Sequence, residues 1–179
     1  MKLWSLHQRI LGSRSALLAS LWPDARDKPT AVAFASAALG VVATGDGSIF
    51  VLDTTTQPPH LRLLGRHSAL VHNLLPTNDG RLVTGSHDYT IRVWDLVTGE
   101  CVQKIDAPHG QIGRVSTRAD RILLSTPDGV LKILSLQDGT VLAAFQADKQ
   151  IIACNADDDL RNIAALDQDG RIHFLHLEN

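Results

Sequence analysis

Eight histidines, two cysteines and a set of regularly spaced aspartates are where this chain could do chemistry. Metal binding is the first chemistry to test, because imidazole and thiolate are the common zinc donors. His173 and His176 are three apart in a stretch that reads as a strand. Side chains alternate faces along a strand, so these two point to opposite sides and do not share an ion. His60, His67 and His72 form a second group, but no cysteine or carboxylate completes a ligand spacing around them. Asp167-Gln-Asp-Gly170 begins like a calcium loop and lacks its further acidic positions and terminal Glu, so it reads as a turn. Cys101 and Cys154 are 53 positions apart, and neither has a histidine beside it; no Gly-x-Ser-x-Gly element occurs. Gly45-Asp-Gly-Ser-Ile-Phe50 starts like a dinucleotide glycine loop but runs into Phe50, with no helix following to cradle a phosphate. No catalytic, cofactor-binding or metal-binding residue is assigned, and the chain reads as a non-enzyme.

The aspartates lead to the elements that position everything else. Asp46, Asp88, Asp128 and Asp169 each precede an apolar residue by six places: Leu52, Trp94, Leu134 and Leu175. The intervals between those apolar residues are 42, 40 and 41, and glycine follows three of the aspartates (Gly47, Gly129, Gly170). The clearest copy is Leu82–Asp95, two short strands, Leu82–Thr84 and Thr90–Asp95, around a turn holding Gly85, Ser86 and Asp88. Four of the six residues from Thr90 to Asp95 are β-branched or aromatic, which suits a strand buried on both faces. An aspartate beside a tight turn accepts nearby backbone N–H groups, a local reason for it to recur. A period of 40–45 residues with about four strands per unit is that of a β-propeller blade. The expected fold is all-β: a propeller of four-stranded antiparallel blades, with about four to five present.

Ile91-Arg-Val-Trp-Asp-Leu-Val-Thr-Gly-Glu100 resembles the strand and turn that give the WD-repeat family its name, and Gly65-Arg-His67 is similar to that family's Gly-His element with one residue inserted. The resemblance implies a hydrogen-bonded set on His67, Thr84, Asp88 and Trp94, in which a buried indole N–H and imidazole satisfy each other through the hydroxyl and carboxylate. Leucine replaces tryptophan in the other three frames, and His109 is the one further candidate for the Gly-His histidine, so those blades are expected to rest more on apolar packing. The resemblance also implies that loops at one end of the propeller meet protein partners. Arg66, Ser68, Leu70, His87 and Tyr89 are the candidates in the best-formed blade, tyrosine and arginine being enriched at interaction hot spots.

In chain order, residues 1–29 are expected to form a partial first blade and connector, with strands at Lys2–Leu6 and Ala16–Leu21; a helix over 6–21 competes but is weakened by Gly12 and the serines after it. Blades are expected at about 30–64, 65–105, 106–145 and 146–179, the last without an outer strand. An open stack leaves blade faces and an edge strand exposed. Closure can come from the N-terminal strand, from a second copy, or from upstream blades of a longer chain.

Composition narrows the function classes. A net charge of −2 with scattered charges offers nothing to nucleic acid or an anionic membrane. No apolar run approaches a bilayer span or a signal-peptide core. Two cysteines without a motif suit a reducing cytoplasm. The expected function is a non-enzymatic interaction scaffold, with unknown protein partners, at the sensor or regulatory end of a larger signalling or assembly protein. A quinoprotein-type propeller enzyme and a purely structural oligomer-forming module are the alternatives; the first expects a secretion signal and tryptophan motifs in most blades.

Overall fold

Side chains of the sequence Thr90-Ile-Arg-Val-Trp-Asp95 pack on two faces at once, and a strand with neighbours on both edges and a sheet on each side meets that need. In the computed structural model, which describes residues 28–56, 59–107, 111–116 (backbone only) and 120–178, such strands are arranged in four separate antiparallel sheets. Blade 1 holds β1 (Pro29–Phe34), β2 (Leu39–Thr44), β3 (Ser48–Asp53) and β4 (His60–Arg66). Blade 2 holds β5 (Val71–Pro76), β6 (Arg81–Ser86), β7 (Thr90–Asp95) and β8 (Cys101–Asp106). Blade 3 holds β9 (Gln111–Ser116), β10 (Arg121–Ser125), β11 (Val130–Ser135) and β12 (Val141–Gln146). Among the described residues blade 4 has three strands, β13 (Ile151–Ala156), β14 (Asn162–Asp167) and β15 (Ile172–His176). Each sheet follows chain order from its first strand to its last. The stretches Lys2–Leu6 and Ala16–Leu21, and His109, lie outside the described residues.

The second and third strands of the first three blades are buried along most of their length, whereas β8 and β12, at the outside, are largely exposed. The register repeats: Ile91 lies opposite Gly85 and Ile105, Leu131 opposite Ser125 and Phe145. A slip falls at the same place, between Val93 and Trp94 and between Ile133 and Leu134. In blade 1 the slip moves to Ile49/Phe50, against Gly65.

Three apolar seams join successive blades. The first packs Val41, Ala43, Ile49, Val51 and Leu64 of blade 1 on Val71, Leu74, Leu82 and Trp94 of blade 2. The second packs Val83, Ile91, Val93 and Ile105 on Ile122, Leu124, Leu134 and Leu136. The third packs Leu123, Leu131 and Ile133 on Ile151, Ile163 and Ala165. The same repeat positions therefore make the trailing side of each seam, and a second set makes the leading side.

Gly65 is the tightest point of the first seam. A Cβ placed there would lie 2.2 Å from Cζ3 of Trp94, so the indole reaches across the seam onto bare backbone. Gly65→Ala is expected to cost about 1–3 kcal/mol by overpacking, read from the denaturant midpoint. In the Gly65→Ala, Trp94→Leu double variant, which puts the residue of the other three frames at 94, the two changes are expected to be strongly non-additive. Additive losses would show that the ring and the glycine are independent.

Candidate functional site

Trp94 is buried at the end of β7, and its indole N–H needs an acceptor. It donates to Thr84 Oγ1 on β6 at 2.9 Å. Thr84 Oγ1 is 2.7 Å from His67 Nε2, and His67 Nδ1 is 2.9 Å from Asp88 Oδ2. With the ring of His67 neutral, as its burial favours, one proton arrangement satisfies all four groups, because a carboxylate only accepts. The hydroxyl donates to Nε2 of a neutral His67, whose Nδ1–H donates to Asp88. Asp88 also accepts from Thr90 Oγ1 at 2.7 Å and from the backbone N–H groups of Thr90 and Ser68, each at 3.0 Å. The set thus runs from the seam to the surface and fastens the β4–β5 connection (67–70) to the β6–β7 turn (87–89). His87 N–H to Leu70 O, 2.9 Å, and Ser86 Oγ to Ala69 O, 3.0 Å, complete the fastening.

Burial pushes the His67 imidazole below its ordinary pKa, against the opposing pull of Asp88. Burial alone would raise the Asp88 carboxyl, but the bonds from Thr90, Ser68 and His67 outweigh it and hold the group far below the usual carboxylate range. Arg92 sits 5.9 Å from the Trp94 ring centre and donates to Arg66 O at 2.9 Å, reaching back to blade 1.

The other turn aspartates are served by other partners. Asp46 accepts from Thr44 Oγ1 (2.7 Å) and Ser48 Oγ (2.9 Å), and pairs with Arg66 at 2.9 Å. Asp128 accepts from Thr126 Oγ1. In blade 4 the carboxylate that gathers the turn is Asp167, two places before Asp169: it accepts from the N–H groups of Asp169 (3.0 Å) and Arg171 (2.9 Å) and bonds His173 Nε2 at 2.9 Å. Asp169 keeps its turn position but is exposed. Sequence reasoning placed this role on Asp169 and passed over Asp167. The signal was there: a hydroxyl residue stands two before the aspartate in the first three frames (Thr44, Ser86, Thr126), and blade 4 alone puts a carboxylate at that place.

Tyr89 closes the blade 2 turn at φ 62°, the place of Gly47, Gly129 and Gly170, whose φ values are 89°, 83° and 80°. Its carbonyl accepts from Ala107 N–H at 2.8 Å, and about half of the residue remains exposed. Beside it the His87 and His72 rings lie 5.1 Å apart. These three residues, with Thr126, Pro127 and Gln150, border a cleft of about 280 Å³ where blades 2, 3 and 4 meet. Of the other candidates, Ser68 is exposed, Leu70 is half-buried, and Arg66 is exposed while pairing with Asp46. Among the described residues, no group of three or more His, Cys, Asp or Glu could hold a metal ion, and no helix is long and apolar enough to cross a membrane. Cys101 and Cys154 are both free, and burial pushes the Cys154 thiol up.

Four-stranded sheets stacked face to face, each fastened at the same turn, define a β-propeller protein. Residues 59–95, which span His67, Thr84, Asp88 and Trp94, match the family model described as WD domain, G-beta repeat, and the chain belongs to the WD-repeat family. It is 30% identical to the apoptotic protease-activating factor 1 of Danio rerio over 72% of this chain and 10% of that protein. Among solved structures it is similar to two computationally designed proteins. Ika4 is 23% identical with TM-score 0.68, over 87% of this chain and 94% of that one. Ika8 is 24% identical with TM-score 0.66, over 83% of this chain and 46% of that one. The chain spans between 10% and 26% of the length of the curated relatives it matches.

Thr84→Val keeps the shape of the side chain while leaving the indole N–H and the imidazole Nε2 without their partner. It is expected to cost about 2–4 kcal/mol, one desolvation penalty for each orphaned group, measured by urea denaturation. The same set fixes a pH response. Both His67 and Asp88 have folded pKa values below their unfolded ones, so their contribution is complete at neutral pH and shrinks on acidification. Stability should begin to fall near pH 6.5, where the unfolded imidazole starts to protonate, and fall further below about pH 4. A His67→Gln variant should lose part of the first limb; an unchanged slope there would assign it to other histidines.

Proposed function

We propose that this chain is a non-enzymatic interaction scaffold that presents its β4–β5 connection and β6–β7 turn to a protein partner. WD repeats generally mediate protein–protein interaction. Tyr89 carries the reading. A non-glycine residue in the left-handed region costs on the order of 1 kcal/mol or more, and three sister turns avoid that cost with glycine. The fastening around Asp88 holds the strained turn, so the backbone that carries the half-exposed ring is held in place at the cleft that His87 also lines. A rigid, partly exposed aromatic residue loses little entropy on binding and is a typical anchor. Ser68 and Leu70 lie on the β4–β5 connection, and Arg66 ends the strand that leads into it. Because its relatives are several times longer, we read the chain as the regulatory or sensor part of a larger signalling or assembly protein, working in the cytoplasm.

The strain gives a test that separates function from folding. Tyr89→Gly should raise stability by about 0.5–1 kcal/mol, through relief of the left-handed backbone, while abolishing retention of the partners that the wild-type chain holds in affinity capture. His87→Ala should weaken retention at unchanged stability. Retention of every wild-type partner by Tyr89→Gly would overturn the assignment of this face.

A further inference from the structure

The three seams inside the chain state what each blade face is built to meet. On the trailing side, Ile49, Ile91 and Leu131 hold one repeat position, and Val51, Val93 and Ile133 hold the position two residues on; all six are between 0% and 3% exposed. The fourth copy puts Ile172 and Phe174 at those two positions, and they are 61% and 81% exposed. Ala164, at the position of the buried Val41, Val83 and Leu123, is exposed as well. Nothing polar has replaced the apolar pattern. Blade 4 ends on a face of the kind that a following blade covers in every earlier repeat.

The leading side of blade 1 is the counterpart. Val32 pairs with Val42 as Leu74 pairs with Thr84, so Val32 and Leu74 are equivalent. Leu74 is buried against blade 1, whereas Val32 is 69% exposed and Phe34, two residues on, 56%. Towards the outside, blade 1 pairs Phe50 with Leu63, where blade 2 pairs Arg92 with Lys104. The uncovered face of blade 1 is thus more apolar than its covered equivalent in blade 2. An exposed apolar patch with a built counterpart marks an interface.

We infer that the two end faces belong to a second copy of this chain, blade 4 of each copy seating on blade 1 of the other. The two chains then close a ring with two-fold symmetry and two identical new seams, each made like the three inside a chain. Two observations favour this occupant. Both halves of the contact are present on one chain, so no foreign surface is needed. The same arc occupies 46% of the designed Ika8 chain, so this fold stands as about half of a longer one.

Light scattering across a micromolar dilution series supplies the test. The expected mass is twice the 19.4 kDa of one chain. Phe174→Asp and Phe34→Asp, both at exposed positions, should each shift the species to one chain while keeping the β-sheet circular dichroism of the wild type. Should either variant lose that spectrum, the milder Phe174→Ser takes its place. Mixed in equal amounts, the Phe174→Asp and Phe34→Asp chains retain one intact seam between them and should associate at least tenfold more tightly than either alone. A wild-type mass of one chain, or of three or more, overturns the proposal. So does a dimer that survives both substitutions, or a mixture that associates no better than its components.

Discussion

One line of three hydrogen bonds sets the frame of the molecule. From the Trp94 indole through the Thr84 hydroxyl and the His67 ring to the Asp88 carboxylate, each group has a single acceptable role, and changing one forces its neighbour to lose a partner. The line crosses from β7 to β6 and on to the connection leaving blade 1, so it fixes the twist of one sheet and the position of the next together. Its members are buried, where an unpaired polar group costs most. The line is therefore a constraint on geometry more than a reservoir of stability.

The seams add the driving force that the line lacks. Apolar residues alternate with the sheet period, and the recurrent register sends equivalent side chains to equivalent sides, so one rule of packing serves three contacts. Gly65 is the local exception that lets the one large ring fit: blade 1 shifts its strand slip so that bare backbone faces the indole. Where leucine stands in the marker frame the ring and its hydrogen bond are both absent; a hydroxyl–aspartate pair remains at the turns of blades 1 and 3, and the Asp167–His173 pair in blade 4.

The fold is legible in the sequence because the repeat is carried by two independent signals, an aspartate at a turn and an apolar residue six places on. Both arise locally, from turn chemistry and from the pleat, and tertiary context does not override them. The strands extend by one or two residues beyond the apolar runs, since ladder bonds continue where side chains turn polar, as at Arg81 and Ser86 of β6. The site is less legible. Asp167 is hidden because a carboxylate can serve a turn from either of two places, and the choice rests on which backbone N–H groups the chain presents. The strain at Tyr89 is half-hidden: glycine follows the other three aspartates in the sequence, but only the backbone shows that this place takes a positive φ. The facing His72 and His87 rings come from the inner strand and the turn, a proximity that spacing does not encode.

The fastening is uneven from blade to blade, and this bears on how the chain comes apart. Blade 2 has the full line of buried partners, blade 1 an exposed arginine pair in its place, and blade 4 a histidine–aspartate pair on a sheet of three strands among the described residues. Because successive blades are joined by separate seams, such inequality divides the molecule into zones that open separately. Amide exchange should then be slowest at the middle of blade 2 and quicken outward along the row, a gradient of local opening written by three kinds of turn.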